Sequence, residues 1–251
     1  MKLFTAEVTE NRMINDSTFI LSCKNKELSE EINAGQFCNI KVNDTYVPLL
    51  RRPFSISDVD KDILSFMISI NGKGTELLSK KHTYEKLDIL GPLGNSFGIN
   101  DCYDIAILVS GGIGIAPFPY LIKSLKNKPI IGYFGFRTKK EIIKIVCDNY
   151  YISTDDGSFG MKGTVIDLLK RNLLELKKNK IKIFACGPTP MLKAVQLFCL
   201  ENNINGEIST ESAMACGFGI CQGCPIESRE EDKYKLICKD GPIFNVKEIN
   251  L

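Results

Sequence analysis

The feature that most restricts how this chain can fold is a run of cysteines near its end. In Met214–Cys224, MACGFGICQGC, three cysteines stand at the spacing C-x4-C-x2-C, as Cys216, Cys221 and Cys224; a fourth, Cys238, follows after thirteen intervening residues. This is the ligand spacing of a plant-type [2Fe-2S] cluster. Four thiolates must converge on two irons, so the loop has to curl tightly. Gly217, Gly219 and Gly223 let its backbone approach without a Cβ in the way. A structural zinc site usually takes two C-x2-C arms, and only one arm here has that form; ordinary buried cysteines are the remaining reading. A C-terminal segment of about 45 residues is too small for an ample core, so bound iron would be part of what folds it.

The remainder of the chain is long enough for one large domain or two to three small ones, at 251 residues in all. With a formal net charge of +2, nothing favours a nucleic-acid partner, and the lysines of 170–182 read as the solvated end of a helix. No apolar run reaches the ~20 residues that span a bilayer. The N-terminal MKLFTAEVTEN alternates like a strand and lacks the apolar region and cleavage site of a signal peptide. The expectation is a cytoplasmic protein with no membrane partner. In that compartment the ten cysteines are not a disulfide framework. Cys23, Cys38, Cys102, Cys147 and Cys199 lie outside every motif and read mostly as small buried apolar residues.

Residues 1–98 read as β structure. Alternating or apolar runs at Phe4–Val8, Thr18–Cys23, Gln36–Val42, Ile63–Ile70 and Leu87–Leu90 are separated by turn signals such as Asn33-Ala34-Gly35 and Asn71-Gly72. Five or six strands so spaced predict a small antiparallel barrel, with a helix only at Thr75–Lys81. Arg51-Arg52-Pro53-Phe54-Ser55 could hold a phosphate and an adjacent ring, but also suits an edge-strand proline between surface residues. Gly72-Lys73-Gly74-Thr75 places free amides at a helix start, which suits an anion or simply a capped helix after a turn.

Residues 99–205 alternate strand and helix. Strands are expected at Ile105–Ser110, Ile130–Phe134, Tyr150–Ser153 and Ile181–Ala185. Helices are expected up to Leu125, from Lys140, near Val165–Lys178 and over about Pro190–Glu201. Repeated βα units imply a parallel sheet whose ligands bind beyond the carboxyl ends of the strands. Two glycine turns fall at such ends: Gly111-Gly112-Ile113-Gly114-Ile115-Ala116-Pro117 and Cys186-Gly187-Pro188. The first is a variant of the dinucleotide fingerprint, with Pro117 where the third glycine would stand. Asp155, in Thr154-Asp155-Asp156-Gly157, could bind a ribose hydroxyl and repel a 2′-phosphate, favouring NAD over NADP; a solvated Asp-Gly turn is the plainer alternative. The one histidine, His82, lies outside the motifs and reads as a surface residue, and no nucleophilic triad or hydrolase metal spacing occurs.

Taken in order, R-P-F-S, G-x-G-T, G-G-x-G-x-x-P, C-G-P and C-x4-C-x2-C…C resemble the ferredoxin-reductase superfamily. More narrowly, Leu49–Ile56, Gly91–Phe97, Glu211–Cys224 and Cys238–Phe244 resemble the electron-transfer subunit of type B dihydroorotate dehydrogenase over essentially the whole chain. The resemblance implies an α/β plus β protein: an N-terminal antiparallel β-barrel for FAD (1–98), a parallel α/β nucleotide-binding domain for NAD (99–205) and a small C-terminal [2Fe-2S] domain (206–251). It implies that Arg52 meets the FAD pyrophosphate, that Pro53, Phe54 and Ser55 line the isoalloxazine, that Ile68, Ser69 and Ile70 run beside it, and that Gly74 and Thr75 bind its phosphates. It places NAD on Gly111, Gly112, Gly114 and Pro117, with Cys186, Gly187 and Pro188 near the nicotinamide, and the cluster on Cys216, Cys221, Cys224 and Cys238. The implied partner is an FMN-containing catalytic subunit, in a heterotetramer of two of each. There dihydroorotate becomes orotate in pyrimidine (UMP) biosynthesis, and electrons pass through the cluster and FAD to NAD+. The sequence departs from the family at Ile68 and Ser69, where an aromatic residue and an arginine are usual, at Ala213 for a usual arginine, and at Tyr84-Glu85 for a usual Gly-Asp turn. A flavin and iron–sulfur subunit of a hydrogenase, sulfur reductase or transhydrogenase would share these motifs, and a non-enzymatic redox sensor would share the cluster.

Overall fold

The computed structural model describes residues 1–125, 128–230 and 233–251. The first unit is built from β1 (Lys2–Asn15), β2 (Thr18–Lys24), α1 (Lys26–Glu31), β3 (Phe37–Ile40), β4 (Arg52–Ser55), β5 (Asp58–Asp60), β6 (Ile63–Ser69), α2 (Lys73–Ser79) and β7 (Lys86–Leu93). Its strands form one antiparallel sheet in the order β4-β3-β7-β1-β2-β6-β5. The two outer strands are consecutive in the chain, joined by Ile56, whose amide donates to Gln36 O beside β3 at 3.2 Å, and Ser57, whose amide donates to Ser65 O of β6 at 2.8 Å. The sheet therefore curls on itself, which leaves little free edge. Alternation decides which face is inside: Phe4, Ala6 and Val8 of β1 and Phe19, Leu21 and Cys23 of β2 are buried together.

One helix was not expected. α1 is a single capped turn, with Asn25 Oδ1 accepting from the Leu28 amide at 2.9 Å and Leu28 buried beneath it.

The second unit holds β8 (Ile105–Gly111), α3 (Phe118–Ser124), β9 (Ile130–Phe136), β10 (Tyr150–Thr154), β11 (Met161–Lys162), α4 (Val165–Arg171), α5 (Leu173–Leu176), β12 (Ile181–Cys186), α6 (Thr189–Glu201) and β13 (Asn205–Ser209). The helix expected from Lys140 is instead a 3-10 turn, Lys139–Glu141, followed by irregular chain. The β-branched Ile142, Ile143, Ile145 and Val146 disfavour a helix, and the first three pack as irregular chain against the sheet. The helix expected near Val165–Lys178 divides into α4 and α5, broken at Asn172.

The chain ends with β14 (Pro225–Glu227), β15 (Tyr234–Leu236), α7 (Ile237–Asp240) and β16 (Ile243–Asn245). The second sheet runs β11-β10-β9-β8-β12-β13-β16, parallel except that β16 pairs antiparallel with β13. The sheet thus runs past residue 205, where the sequence places the start of the cluster domain, and the last strand returns to close its edge. A buried lysine stitches the barrel's exit to this sheet. Lys182 on β12 is 0% exposed and donates to Gly98 O, Glu207 and Asp101, while Glu207 accepts from the Gly98 amide at 2.9 Å.

Candidate functional site

Three groups of motif residues come to the surfaces between these units. The first lies on the barrel. β4 carries Arg52, Pro53, Phe54 and Ser55, all half-buried, beside fully buried β3. The two arginines have different tasks. Arg51 is bound to Asp88, through its carboxylate at 2.8 Å and its carbonyl at 2.9 Å. Arg52 donates only to the carbonyls of Leu50 and Arg51 and pairs with no acid among the described residues. A Cβ on Gly74 would lie 3.3 Å from Arg52 Nε, so this guanidinium and the start of α2 share one surface. Thr75 Oγ1 accepts from the Asn71 and Gly72 amides and donates to Gly72 O. Its hydroxyl thus closes the turn, and an anion there would rely on Arg52 and backbone amides. Ile68 is 1% exposed with its side chain in the barrel core, and Ile70 packs on the same core. Of that trio only Ser69 faces the cleft described next.

The second group lines a cleft of about 700 Å³ between barrel and parallel sheet. Ser69, Gly111, Gly112, Gly114, Asp155, Gly187 and Pro188 are all on its walls. The glycine loop and the C-G-P turn touch: a Cβ on Gly114 would meet the Cys186 carbonyl and, at 2.6 Å, Gly187 Cα. Only glycine allows that approach. Residues 112–115 form a 3-10 turn and Pro117 sits at the N-cap of α3, below the cleft rather than in it. Cys186 is buried, and burial pushes its thiol up. Polar wall residues outside the predicted site include Asn15 and Ser17 at the β1–β2 turn, Arg137 just past β9, and Glu211 just past β13. Their position beyond strand ends is the signal that finds them. Glu211 is open to the water of the cleft yet walled by protein, and that enclosure pushes its carboxyl up.

The third group is the cysteine motif. Its thiols lie in two pairs. Cys224 and Cys238 are buried and free, with Sγ atoms 3.2 Å apart. In the other pair, the amides of Cys221 and Phe218 both aim at Cys216 Sγ, at 3.5 Å. Burial pushes the Cys216 thiol up, but these amides, with the Cys221 thiol and the Ile220 amide, outweigh it and bring it down to about 6. Burial, then the neighbouring Cys224 thiol, pushes Cys238 up to about 12. Among the described residues no three such donors are gathered as a single metal ion would need. Two irons held by two thiolates each need two pairs side by side, and the Cys216 loop reaches the second pair through the Gly219 amide at the Cys238 thiol. The donor set therefore fits a [2Fe-2S] cluster. Its floor is apolar, since Cys224 and Cys238 share a core with Phe37 and Leu93 of the barrel. Its outer rim is exposed, with Cys221 beside Ile220 (76% exposed) and Tyr234 (62%).

Comparison with known proteins places this arrangement. Residues 211–250 match the model of the iron-sulfur cluster binding domain of dihydroorotate dehydrogenase B. The NAD(+)-linked dihydroorotate dehydrogenase B electron transfer subunit of Bacillus velezensis is 36% identical over 262 aligned positions, covering 100% of both chains. That of Clostridium acetobutylicum is 37% identical, covering 100% of this chain and 98% of its own. The chain belongs to the electron-transfer subunits of dihydroorotate dehydrogenase B. Membership makes it an oxidoreductase subunit, and solved structures agree on its architecture. A chain from the structure of an NADH-dependent reduced ferredoxin-NADP oxidoreductase superposes with a TM-score of 0.87 at 29% identity, covering 98% of this chain and 89% of its own. A ferredoxin NADP+ reductase from Neisseria gonorrhoeae, solved with bound FAD and NADP, gives 0.67 at 16% identity over 80% of this chain and 92% of its own, and so shares the fold alone. No described helix is long and apolar enough to cross a membrane.

Proposed function

We propose that this subunit carries electrons between a catalytic partner and NAD+, using FAD on the barrel, NAD in the cleft and a [2Fe-2S] cluster on Cys216, Cys221, Cys224 and Cys238. The partner is an FMN-containing dihydroorotate dehydrogenase subunit, in a cytoplasmic heterotetramer of two copies of each. The complex oxidises dihydroorotate to orotate and delivers the two electrons to NAD+. The observation that carries this reading is three sites in one chain: an arginine on the barrel strand that pairs with no acid among the described residues, a glycine-walled cleft at the sheet's carboxyl end, and a thiol nest whose core includes Phe37 and Leu93 of the barrel.

FAD, when bound, exchanges electron pairs with a nicotinamide and single electrons with a cluster, so it belongs between the other two. The chain's own residues do the placing. Arg52 and the amides near Gly74 neutralise the cofactor's pyrophosphate. Pro53, Phe54 and Ser55 form a half-buried wall for its ring, and Ser69 stands on the cleft wall. The Gly111–Gly114 loop and the Gly187-Pro188 turn leave room for the dinucleotide backbone, and Asp155 selects a free 2′-hydroxyl. The cluster domain is 206–251, with 1–98 and 99–205 as the flavin and nicotinamide domains; the strand Asn205–Ser209 extends the nicotinamide sheet into the cluster domain. Ile220 and Tyr234 make the cluster's exposed rim partly apolar, which suits a protein partner there.

Purification of the native complex tests the assignment. The expected result is an FMN-bearing partner and reduction of NAD+ that depends on dihydroorotate. A tight partner without FMN, in a complex inert to dihydroorotate, would sink it. A second reading has a specific observation behind it: the 0.87 superposition on the ferredoxin-NADP oxidoreductase chain favours a transhydrogenase-like assembly built on the same three sites. A partner that reduces NADP+ rather than oxidising dihydroorotate would decide for it.

A further inference from the structure

Between the flavin strand and the cluster loop lies one buried amide. Asn39 sits mid-strand on β3 and is 1% exposed. On one side it is the register partner of Pro53 on β4, and on the other of Leu90 on β7. Its Nδ2 donates to Cys216 O at 3.2 Å. Gly217, the next residue, has φ +81°, and a Cβ there would run into Asn39 Nδ2 and lie 3.5 Å from Leu93 Cδ1. The Cys216–Gly217 peptide is thus laid flat on the barrel strand, and its contact with the strand is this side chain. Asn39 Oδ1 is buried with no partner among the described residues. A half-satisfied amide inside a strand is a cost to stability, and an apolar residue of similar shape would avoid it. Its placement answers to the loop instead.

We propose that Asn39 is a positioning residue for electron transfer: it pins the Cys216 loop to the flavin strand and so sets the separation and relative orientation of flavin and cluster. This rests on the FAD and cluster assignments above. The step it governs is a one-electron exchange, in which one cofactor loses the electron the other gains and no bond to the protein forms or breaks. Because tunnelling falls steeply with distance, a small slip of this loop slows that step while leaving hydride exchange with the nicotinamide alone.

The test uses the purified cofactor-loaded protein, mixed anaerobically with NADH, comparing the parent with Asn39→Leu and Gly217→Ala. The first removes the amide while keeping its branched four-atom shape, and the second pushes the loop off it while keeping Asn39. FAD, iron and sulfide contents are measured first. The expected result for Asn39→Leu is full cofactor content, a melting temperature equal to or above the parent's, an unchanged rate of flavin bleaching, a tenfold or greater slowing of cluster reduction, and an altered cluster EPR line shape. Gly217→Ala is expected to slow the same step. Cluster reduction within twofold of the parent and an unchanged EPR signal in both variants would overturn the proposal. Loss of stability in Asn39→Leu with normal transfer would also overturn it, as the mark of a purely structural residue. A parent that binds no FAD or no cluster would instead overturn the reading beneath it.

Discussion

The fold gathers the four motif cysteines as two pairs, Cys216 with Cys221 and Cys224 with Cys238. Cys221→Ser is expected to lose or alter the cluster, measured as iron, sulfide and EPR signal, whereas Cys102→Ser, at an exposed position outside the motifs, is expected to change neither. The proposed preference for NAD over NADP rests on Asp155, which stands on the cleft wall. Replacing it by alanine removes a like charge from the 2′-phosphate's place, and kcat/KM for NADPH relative to NADH is expected to rise about tenfold or more. Tyr84 was visible as a departure from a usual glycine, and the structure supplies the reason that glycine suits the site: its φ is +72°, a conformation costing L-residues about 1–2 kcal/mol. Tyr84→Gly should stabilise the protein by about 0.5–1 kcal/mol in urea unfolding, after the extra entropy of an unfolded glycine is deducted. Asn39 was not legible at all. A single asparagine in the apolar run Phe37–Ile40 carries no local signal, and its meaning comes from a partner 177 positions away.

Among the elements, long periodic ones were readable and short ones were not. The βα alternation of 105–201 follows from uninterrupted apolar strands and from glycine turns at their ends. α1 escaped because six residues hold too little periodicity to show; its evidence is a cap, Asn25, and one buried leucine. The segment after Lys139 was misread because its isoleucines match a helical face in spacing, while their branching and burial favour irregular chain. The start of α4 borders the cleft, through Thr164, Val165 and Ile166. It is held by a reciprocal cap. The Asp167 amide donates to Thr164 Oγ1, and the Thr164 amide and hydroxyl donate to Asp167 Oδ2 at 3.0 and 2.6 Å. These bonds hold the Asp167 carboxyl below its ordinary 3.8. A depressed carboxylate adds stability above the unfolded value and loses it as pH falls through the folded one. The difference in melting temperature between parent and Asp167→Asn is therefore expected to be constant near neutrality and to shrink below about pH 4. Thr164→Ala should cost about 1 kcal/mol.

At the scale of the molecule, the three motif groups depend on joins that no local pattern announces. β16 returns to pair with β13, and the Asn95 side chain ties the end of the barrel to Asp240 and Ile243, so the cluster segment is braced by both larger units. Lys182 clamps the crossing from barrel to sheet. Lys182→Met strands Glu207, whose side chain is nearly buried, and is expected to cost about 3 kcal/mol; Lys182→Met with Glu207→Leu should recover part of it, seen in urea unfolding of both variants. The central claim is that these joins hold one relay from nicotinamide to cluster. The most direct measurement is rapid anaerobic mixing of the purified, cofactor-loaded protein with NADH, followed by optical and EPR detection. Prompt bleaching of the flavin is expected, followed by a reduced-cluster EPR signal at up to one spin per protein. A flavin that stays oxidised, or a flavin that bleaches while the cluster never accepts an electron, would contradict it.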